Sequence, residues 1–338
     1  MSNRFPDAGL SLGLLPPPAV VKDVNYEAIK AARIADMVER YRALGIPFNV
    51  ESLKTDSGPL LQSTGAGREQ LNLNAINDTA RAVMALYADG GDADQLFALL
   101  GVRRLTLVPA DPTADPPTAA VMEDKASFLA RFQLAMDGTA PGLTGGGYAH
   151  IALRAAPAVR RVSLVRPGGG VVRVILQGRT TGAGSIEVVQ GFNGALTAVW
   201  TADTSLPNND GSVSGSAVQA VALALNDDWS DDPGTGSQLT DIPQVQSAVA
   251  LPYDVVARGF VPQGPSMASL LVLALENMVA AAQGLQLVGG GVPTDALIAA
   301  GRVAPMSKFF LDTPAGDIVC APEQVPFPRS ISLTVSNV

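Results

Sequence analysis

Histidine and cysteine each occur once, as His150 and Cys320. The single cysteine excludes an internal disulfide and fits a chain that folds in a reducing cytoplasm. The single histidine excludes a paired-histidine metal motif, a His-rich ligand set and the usual triad partners built by spacing. A Cys320/His150 dyad would have to be assembled across 170 residues, and neither residue stands in a local context typical of one. The plainer readings are a helix residue near a core for His150 and a small buried hydrophobe for Cys320. Aromatic residues are 5% of the chain and the basic residues are scattered, which argues against a nucleic-acid-binding face. No apolar run reaches the ~18 residues a membrane span needs. The nearest, Leu270 to Ala282, is short and carries Glu276 and Asn277. The opening MSNRFPDAGLSLGLLPPPAVV lacks the continuous apolar region and small-residue cleavage site of a signal peptide, so none is expected.

Charge is also sparse, at 16% of residues, and it is unevenly placed. Lysine and arginine are absent between Arg179 and Arg258, a stretch holding Glu187, Asp203, Asp210, Asp227, Asp228, Asp231, Asp232, Asp241 and Asp254. With these acids set aside, the rest of the chain is near neutral, so the net charge of −8 comes from this one block. The block opposes direct contact with DNA or an anionic membrane and permits a basic protein partner; the plainer reading is a solvated loop face.

The block also supplies no obvious chemistry. In Asn226–Asp232, Trp229 interrupts the alternation that a calcium loop needs and no glutamate follows at the required distance. Acids gathered in one loop do not face each other across a cleft, as paired catalytic carboxylates must. The glycine clusters at 145–147, 168–170 and 289–291 match neither a P-loop nor a dinucleotide fingerprint. They read as turns that need positive φ. No catalytic residue, cofactor site or metal site is expected.

What is present is a folded chain of 338 residues, 47% hydrophobic, with 34 glycines and 25 prolines. That length implies two or three domains. Residues 1–23 read as an extended docking arm, because Pro16, Pro17 and Pro18 forbid a helix while Leu12, Leu14 and Leu15 add apolar surface. Residues 24–101 read as helical and bundle-forming. Asn25 caps a helix to about Tyr41, with Tyr26, Ile29 and Met37 on one side, and a polar Gly/Ser stretch follows from Ser52 to Gly67. A second helix then runs from about Arg68 to Ala88, with Leu71, Ala75, Thr79, Val83 and Leu86 tracking its apolar side.

Residues 102–124 read as a Pro-rich β element and linker. Residues 125–245 read as a central α/β domain, with a hairpin around Pro167–Gly170 and an insert at about 180–214. Residues 246–338 read as a C-terminal α/β domain whose strongest amphipathic helix, Met267–Ala282, carries Met278. The expected fold class is thus α+β and multidomain: a helical N-terminal region, a small β linker element and two successive α/β modules.

The stretch from Asn77 to Pro112, NDTARAVMALYADGGDADQLFALLGVRRLTLVPADP, carries the most information. A helix-period apolar series meets a Gly90-Gly91 stop, a short helix restarts at Asp92, and Gly101 closes it before a basic-apolar strand. In this order the stretch resembles a signature of the baseplate J-like family, the wedge subunits of contractile phage tails. LLPPPAVVKDVNYEAI, AVRRVSLVRPGGGVVRVILQGR, LTDIPQVQSAVALPYDVVARGFVPQGP and the closing TPAGDIVCAPEQVPFPRSISLTV extend the likeness over about 300 residues.

The resemblance implies a non-enzymatic structural protein of a virion tail or tailocin baseplate, assembled in the bacterial cytoplasm. It implies a wedge of two copies with a smaller partner of the tail protein I type, beside a lysozyme-like wedge protein and the hub and sheath proteins, with no nucleic-acid or membrane partner. The interface residues it suggests are Leu12, Leu14, Leu15, Tyr26, Ile29, Met37, Leu71, Val83 and Met278. On the same basis the 180–214 insert would be an exposed lobe, dispensable for assembly. Two other classes stay open at this point. A tail-associated cell-wall hydrolase requires paired carboxylates in a cleft. A host-surface binding module requires a β-dominated fold and more exposed aromatics than Trp200 and Trp229.

Overall fold

The computed structural model describes residues 19–47, 56–138, 144–191, 194–226, 241–262 and 266–337. Contacts divide it into two units, Ser11–Arg104 and Leu105–Val338.

The first unit is helical. α1 (Tyr26–Ala43) starts at Asn25, whose side-chain oxygen accepts from the Glu27 and Ala28 N–H groups at 3.0 and 3.3 Å. That satisfies two of the donors a helix start leaves orphaned. Arg40 and Arg42 in the last turn suit the negative end of the helix dipole. α2 (Ser57–Ala82) is capped by Asp56 and pairs with α1. Its inward seam repeats every seven residues through Pro59, Ala66, Leu73 and Ala80, with the buried Asn77 beside it. Asn77 binds the Lys22 backbone twice, accepting from its N–H at 3.0 Å and donating to its carbonyl at 2.8 Å. The pair is further joined by Arg33–Glu69 at 2.9 Å and by the Tyr26 hydroxyl on the Ser63 carbonyl. α3 (Gly90–Ala98), capped by Asp89, buries Ala93 and Phe97 and is followed by Gly101 at φ 72°.

The second unit begins with a small hairpin, β1 (Thr106–Val108) on β2 (Val121–Met122). Helices α4 (Lys125–Gly138) and α5 (Gly145–Ala155) follow, then strands β3 (Val159–Gly168) and β4 (Val171–Gly178). Strands β5 (Gly184–Gln190) and β6 (Leu196–Ala202) lead to α6 (Gly215–Leu225), and β7 (Ile242–Ser247) to β8 (Val249–Val261). The chain continues through α7 (Met267–Gly284), β9 (Gly291–Val292), α8 (Thr294–Gly301), β10 (Lys308–Thr313), β11 (Ile318–Val319) and β12 (Gln324–Asn337).

Two sheets organise this unit. The order β3-β4-β7 packs Val172, Val174 and Leu176 against Tyr148 and Ile151 of α5 and Val221 and Leu225 of α6. The order β10-β8-β12-β6-β5 buries Trp200, Val255, Ala257, Ile331 and Leu333 against Leu271, Leu275 and Met278 of α7 and Leu297 of α8. β8 and β12 run parallel, which demands a crossover, and the α7-to-β11 segment supplies it. α7 is apolar and long enough to cross a membrane by composition, but Leu271, Ala274, Leu275, Met278 and Ala282 are buried in the unit's own core. The sheets meet at a small cluster of Ile175, Ala248, Val288 and Val325. There Gln177 donates to the Gln286 carbonyl at 2.7 Å.

Several expectations change. The Gly/Ser stretch up to Gly67 is helix from Ser57 onward, and α2 ends at Ala82 instead of Ala88. Low helix propensity pointed to a loop, yet Gly65 lies within the helix, against the Arg33 guanidinium. Gly90 starts α3 rather than stopping before it. Glycines 145–147 lie in the first turn of α5 instead of a positive-φ turn, whereas Gly168, Gly169 and Gly170 do have φ of 117°, 63° and 77°. The alternation predicts strands at Val245–Leu251 and Tyr253–Val261, but the break between β7 and β8 falls at Ala248 and Pro252 lies inside β8. The expected dispensable insert is not a lobe. β6 pairs with β12 from Thr201↔Ser330 to Leu196↔Val335 and buries Ala198, Trp200 and Ala202 in the larger core.

Candidate protein interface

The nine residues picked from sequence fall into four groups. Leu12, Leu14 and Leu15 lie outside the described residues. Tyr26 and Ile29 are half-buried and Met37 is buried, so α1 spends much of their surface within its own unit. Leu71 and Val83 are each 68% exposed. Met278, by contrast, is fully buried among α7, the five-stranded sheet and Gly301. Its contacts are used inside the chain, so it is a core residue and not an interface residue. The sequence signal was an amphipathic stripe, and a stripe does not say whether the covering surface belongs to the same chain.

Leu71, Ala75, Thr79 and Val83, read as the apolar side of the helix with Leu71 and Val83 as interface residues, are all exposed. The side toward α1 runs through Pro59, Ala66, Leu73 and Ala80, and the exposed aliphatics lie off it. Leu60, Leu61, Leu71 and Ile76 on α2 and Val83 at its C-cap make up this exposed apolar surface. Fully burying one such side chain contributes about 1.5–3 kcal/mol, against about 0.5–1.5 kcal/mol for ordering it at an interface. The balance favours covering this surface. Beside it runs a groove of about 470 Å³, lined by Ala28, Ile29, Ala32, Arg33, Asp36, Gln62 and Glu69.

The charged residues of the second unit are largely spent on its own structure. Glu123, buried at the start of α4, is bracketed by Arg131 at 2.9 Å and Arg179 at 3.0 Å. It also accepts from the Leu105 N–H at 3.3 Å. In the acidic block, Asp203 and Asp210 each cap a turn through a serine two residues on. Hydrogen bonds from Ser205 hold the Asp203 carboxyl below its usual range. Asp241 accepts from the Tyr148 hydroxyl at 2.8 Å. Asp254 is bound by Arg329 and Ser330, and the Arg329 hydrogen bond leads the lowering of its pKa. An open groove of about 540 Å³ lies over this region, and its Ser205, Asp210 and Ser212 groups are already engaged in those turns.

His150 sits in α5 against Gly138, where a Cβ would lie 2.5 Å from the imidazole. Its Nδ1 is buried without a partner, and desolvation, followed by the charges of Arg154 and Arg131, lowers its pKa. Cys320 is buried after β11 near Tyr253, and burial raises both pKa values. Among the described residues no group of three or more His, Cys, Asp or Glu could hold a metal ion. The Asp227–Asp232 acids considered for calcium lie outside the described residues.

Residues 59–111, spanning most of α2, α3 and β1, match the Baseplate J-like N-terminal domain. The chain is also similar to "Baseplate protein J" of Escherichia phage P2, at 27% identity over 320 residues, covering 94% of this chain and 95% of that protein. With the α+β architecture, these likenesses define a structural protein of the baseplate of a phage contractile tail. More narrowly, both likenesses are to the baseplate J-like family.

Proposed function

We propose that this chain is a baseplate wedge subunit with no enzymatic role. Two copies join a smaller partner of the tail protein I type, and the wedges ring the hub and rearrange when the sheath contracts. A lysozyme-like wedge protein and the sheath are further neighbours. The 24–101 region enters a shared helical bundle, and the C-terminal 246–338 segment links neighbouring copies.

The observation that carries this reading is the outward surface of α2, four large aliphatic side chains exposed on a helix already paired with α1 and a fifth, Val83, at its C-cap. Exposed apolar surface of this kind marks an interaction site. Interfaces that repack as rigid bodies suit a baseplate that must hold a tail and then change shape.

The test is co-expression of the chain with the tail protein I-like gene product from the same source, followed by native mass measurement. Two copies of this chain per partner are expected. Leu71→Glu with Val83→Glu should abolish the complex while leaving the thermal melt of the isolated chain unchanged. A complex that survives both substitutions rejects the α2 surface as the site, and a different stoichiometry rejects the wedge.

A further inference from the structure

The five-stranded sheet ends at β5 on one side and at β10 on the other, and both outer edges are open among the described residues. The two edges differ. β10 carries a terminal lysine, Lys308, and an irregular register between Leu311 and Thr313, which limit its pairing to the regular stretch before Thr313 and to a partner that suits the lysine. β5 has neither. All seven of its residues are exposed, it pairs with β6 in unbroken register, and it contains no proline and no lysine. Ile186, Val188 and Val189 are exposed along it, and Glu187 is its one charge. A regular, apolar, unprotected edge is a template for another strand.

Charge and strand direction select the occupant. A second β5, paired antiparallel in full overlap about Glu187, would set two like charges directly opposite each other. β10 with itself would bring Lys308 to Asp312, which Arg258 already holds by two bonds of 2.6 Å. β5 and β10 do not have these conflicts. Following the ladders across the sheet, β10 runs antiparallel to β8, β8 parallel to β12, β12 antiparallel to β6 and β6 antiparallel to β5. The two edge strands therefore point in opposite directions, so copies placed side by side in one orientation bring β5 and β10 together antiparallel.

The faces agree as well. Ile186 and Val188 share a face with Trp200 and Ala198 on β6, and Phe309 and Leu311 share a face with Gly259 and Ala257 on β8. Both sets lie on the side of the sheet packed by α7 and α8. Five-residue overlap places Ile186 opposite Leu311 and Val188 opposite Phe309. It places Val189 opposite Lys308, with Lys308 diagonal to Glu187. Neither Glu187 nor Lys308 has an ion-pair partner among the described residues.

We infer that β5 of one copy adds antiparallel to β10 of a second copy of this chain, so that the larger sheet runs on from subunit to subunit. The contact is heterologous: repeated, it closes into a ring if the rotation per copy allows and otherwise forms an open chain. This rests on the proposed association between copies of the chain, and it names the strands that carry it.

The test uses full-length chains with Cys320→Ser, in which Val189→Cys is placed in one and Lys308→Cys in the other. Residues opposite each other on adjacent strands lie about 4.5–5.5 Å apart at Cα, within disulfide reach. Oxidising the mixture should give a covalent dimer, and a chain carrying both cysteines should give a ladder of higher species. Val188→Pro in the Val189→Cys chain should remove the cross-link, with the melt of that chain checked for folding. Cross-linking by Val189→Cys alone would mean β5–β5 pairing, and by Lys308→Cys alone β10–β10 pairing. Either result, or no dimer from the mixture, overturns the inference. If the mixture fails to cross-link while the α2 variants still abolish the wedge complex, the strand contact falls and the wedge reading stands. If it cross-links while those variants leave the complex intact, the strand contact stands and the α2 surface falls.

Discussion

The two units treat their apolar residues in opposite ways. In the first, among the described residues, Met37, Ala66, Ala88, Ala93, Phe97 and Val102 are the buried hydrophobics, and three of these six are alanines. The same unit leaves eleven large apolar residues exposed, among them Leu44, Leu61, Leu71, Val83 and Leu99. The second unit closes two substantial cores around its sheets, and most of its large aliphatics are inside them. A small region with so little internal core is marginal alone. The difference teaches that the first unit leaves most of its large apolar surface uncovered, as the proposed bundle requires, while the second, the support in that reading, covers its own.

The largest expected effect is in the support. Trp200→Ala should cost about 3–5 kcal/mol in a urea melt, the usual range for truncating a core aromatic. A cost below about 1 kcal/mol would mean that β6 is peripheral after all. Next comes a matched pair. Met278→Ala should cost about 2–5 kcal/mol, while Leu71→Ala in the same isolated chain should stay within about 0.5 kcal/mol. Equal costs would erase the contrast between the units.

The smallest effect is with pH. His150 has a lowered pKa in the folded chain, so the unfolded chain takes up the proton first as pH falls below 6.5. Stability is then lost on acidification through that window, by at most about 1.4 kcal/mol per pH unit for one proton. Above it the group contributes no pH dependence. His150→Phe should flatten the slope of melting temperature against pH between 6.5 and 5.5. An unchanged slope would assign the effect to other groups.

Much of the architecture was legible in the chain. Asn25, Pro167–Gly170 and the Met267 helix announced themselves through capping, turn chemistry and periodicity, and the structure places them as those rules require. Two kinds of information were not legible. The first is which side of an amphipathic helix faces its own chain. On α2 the apolar side read through Leu71, Ala75, Thr79 and Val83 is exposed, and the side toward α1 runs through Pro59, Ala66, Leu73 and Ala80. The second is long-range strand pairing. Nothing local to Leu196–Ala202 says that it pairs with residues 330–335, well over a hundred positions on, so an integral strand looked like part of an insert. Met278 failed for the related reason that its covering layer, the sheet of β8, β12 and β6, is assembled from distant segments.

The parallel pairing of β8 with β12 has a mechanical consequence. Thirteen residue pairs join them, from Gln324↔Val249 to Asn337↔Val261. A pull along the strands loads this ladder in shear, so many of its hydrogen bonds must give way together. A pull across the strands would open them one after another at far lower force. At Ala248, whose N–H binds the Leu176 carbonyl, the same strand path continues into the smaller sheet. Tension entering at one end of this path therefore reaches the other as displacement of the whole unit, with little lost to stretching within it.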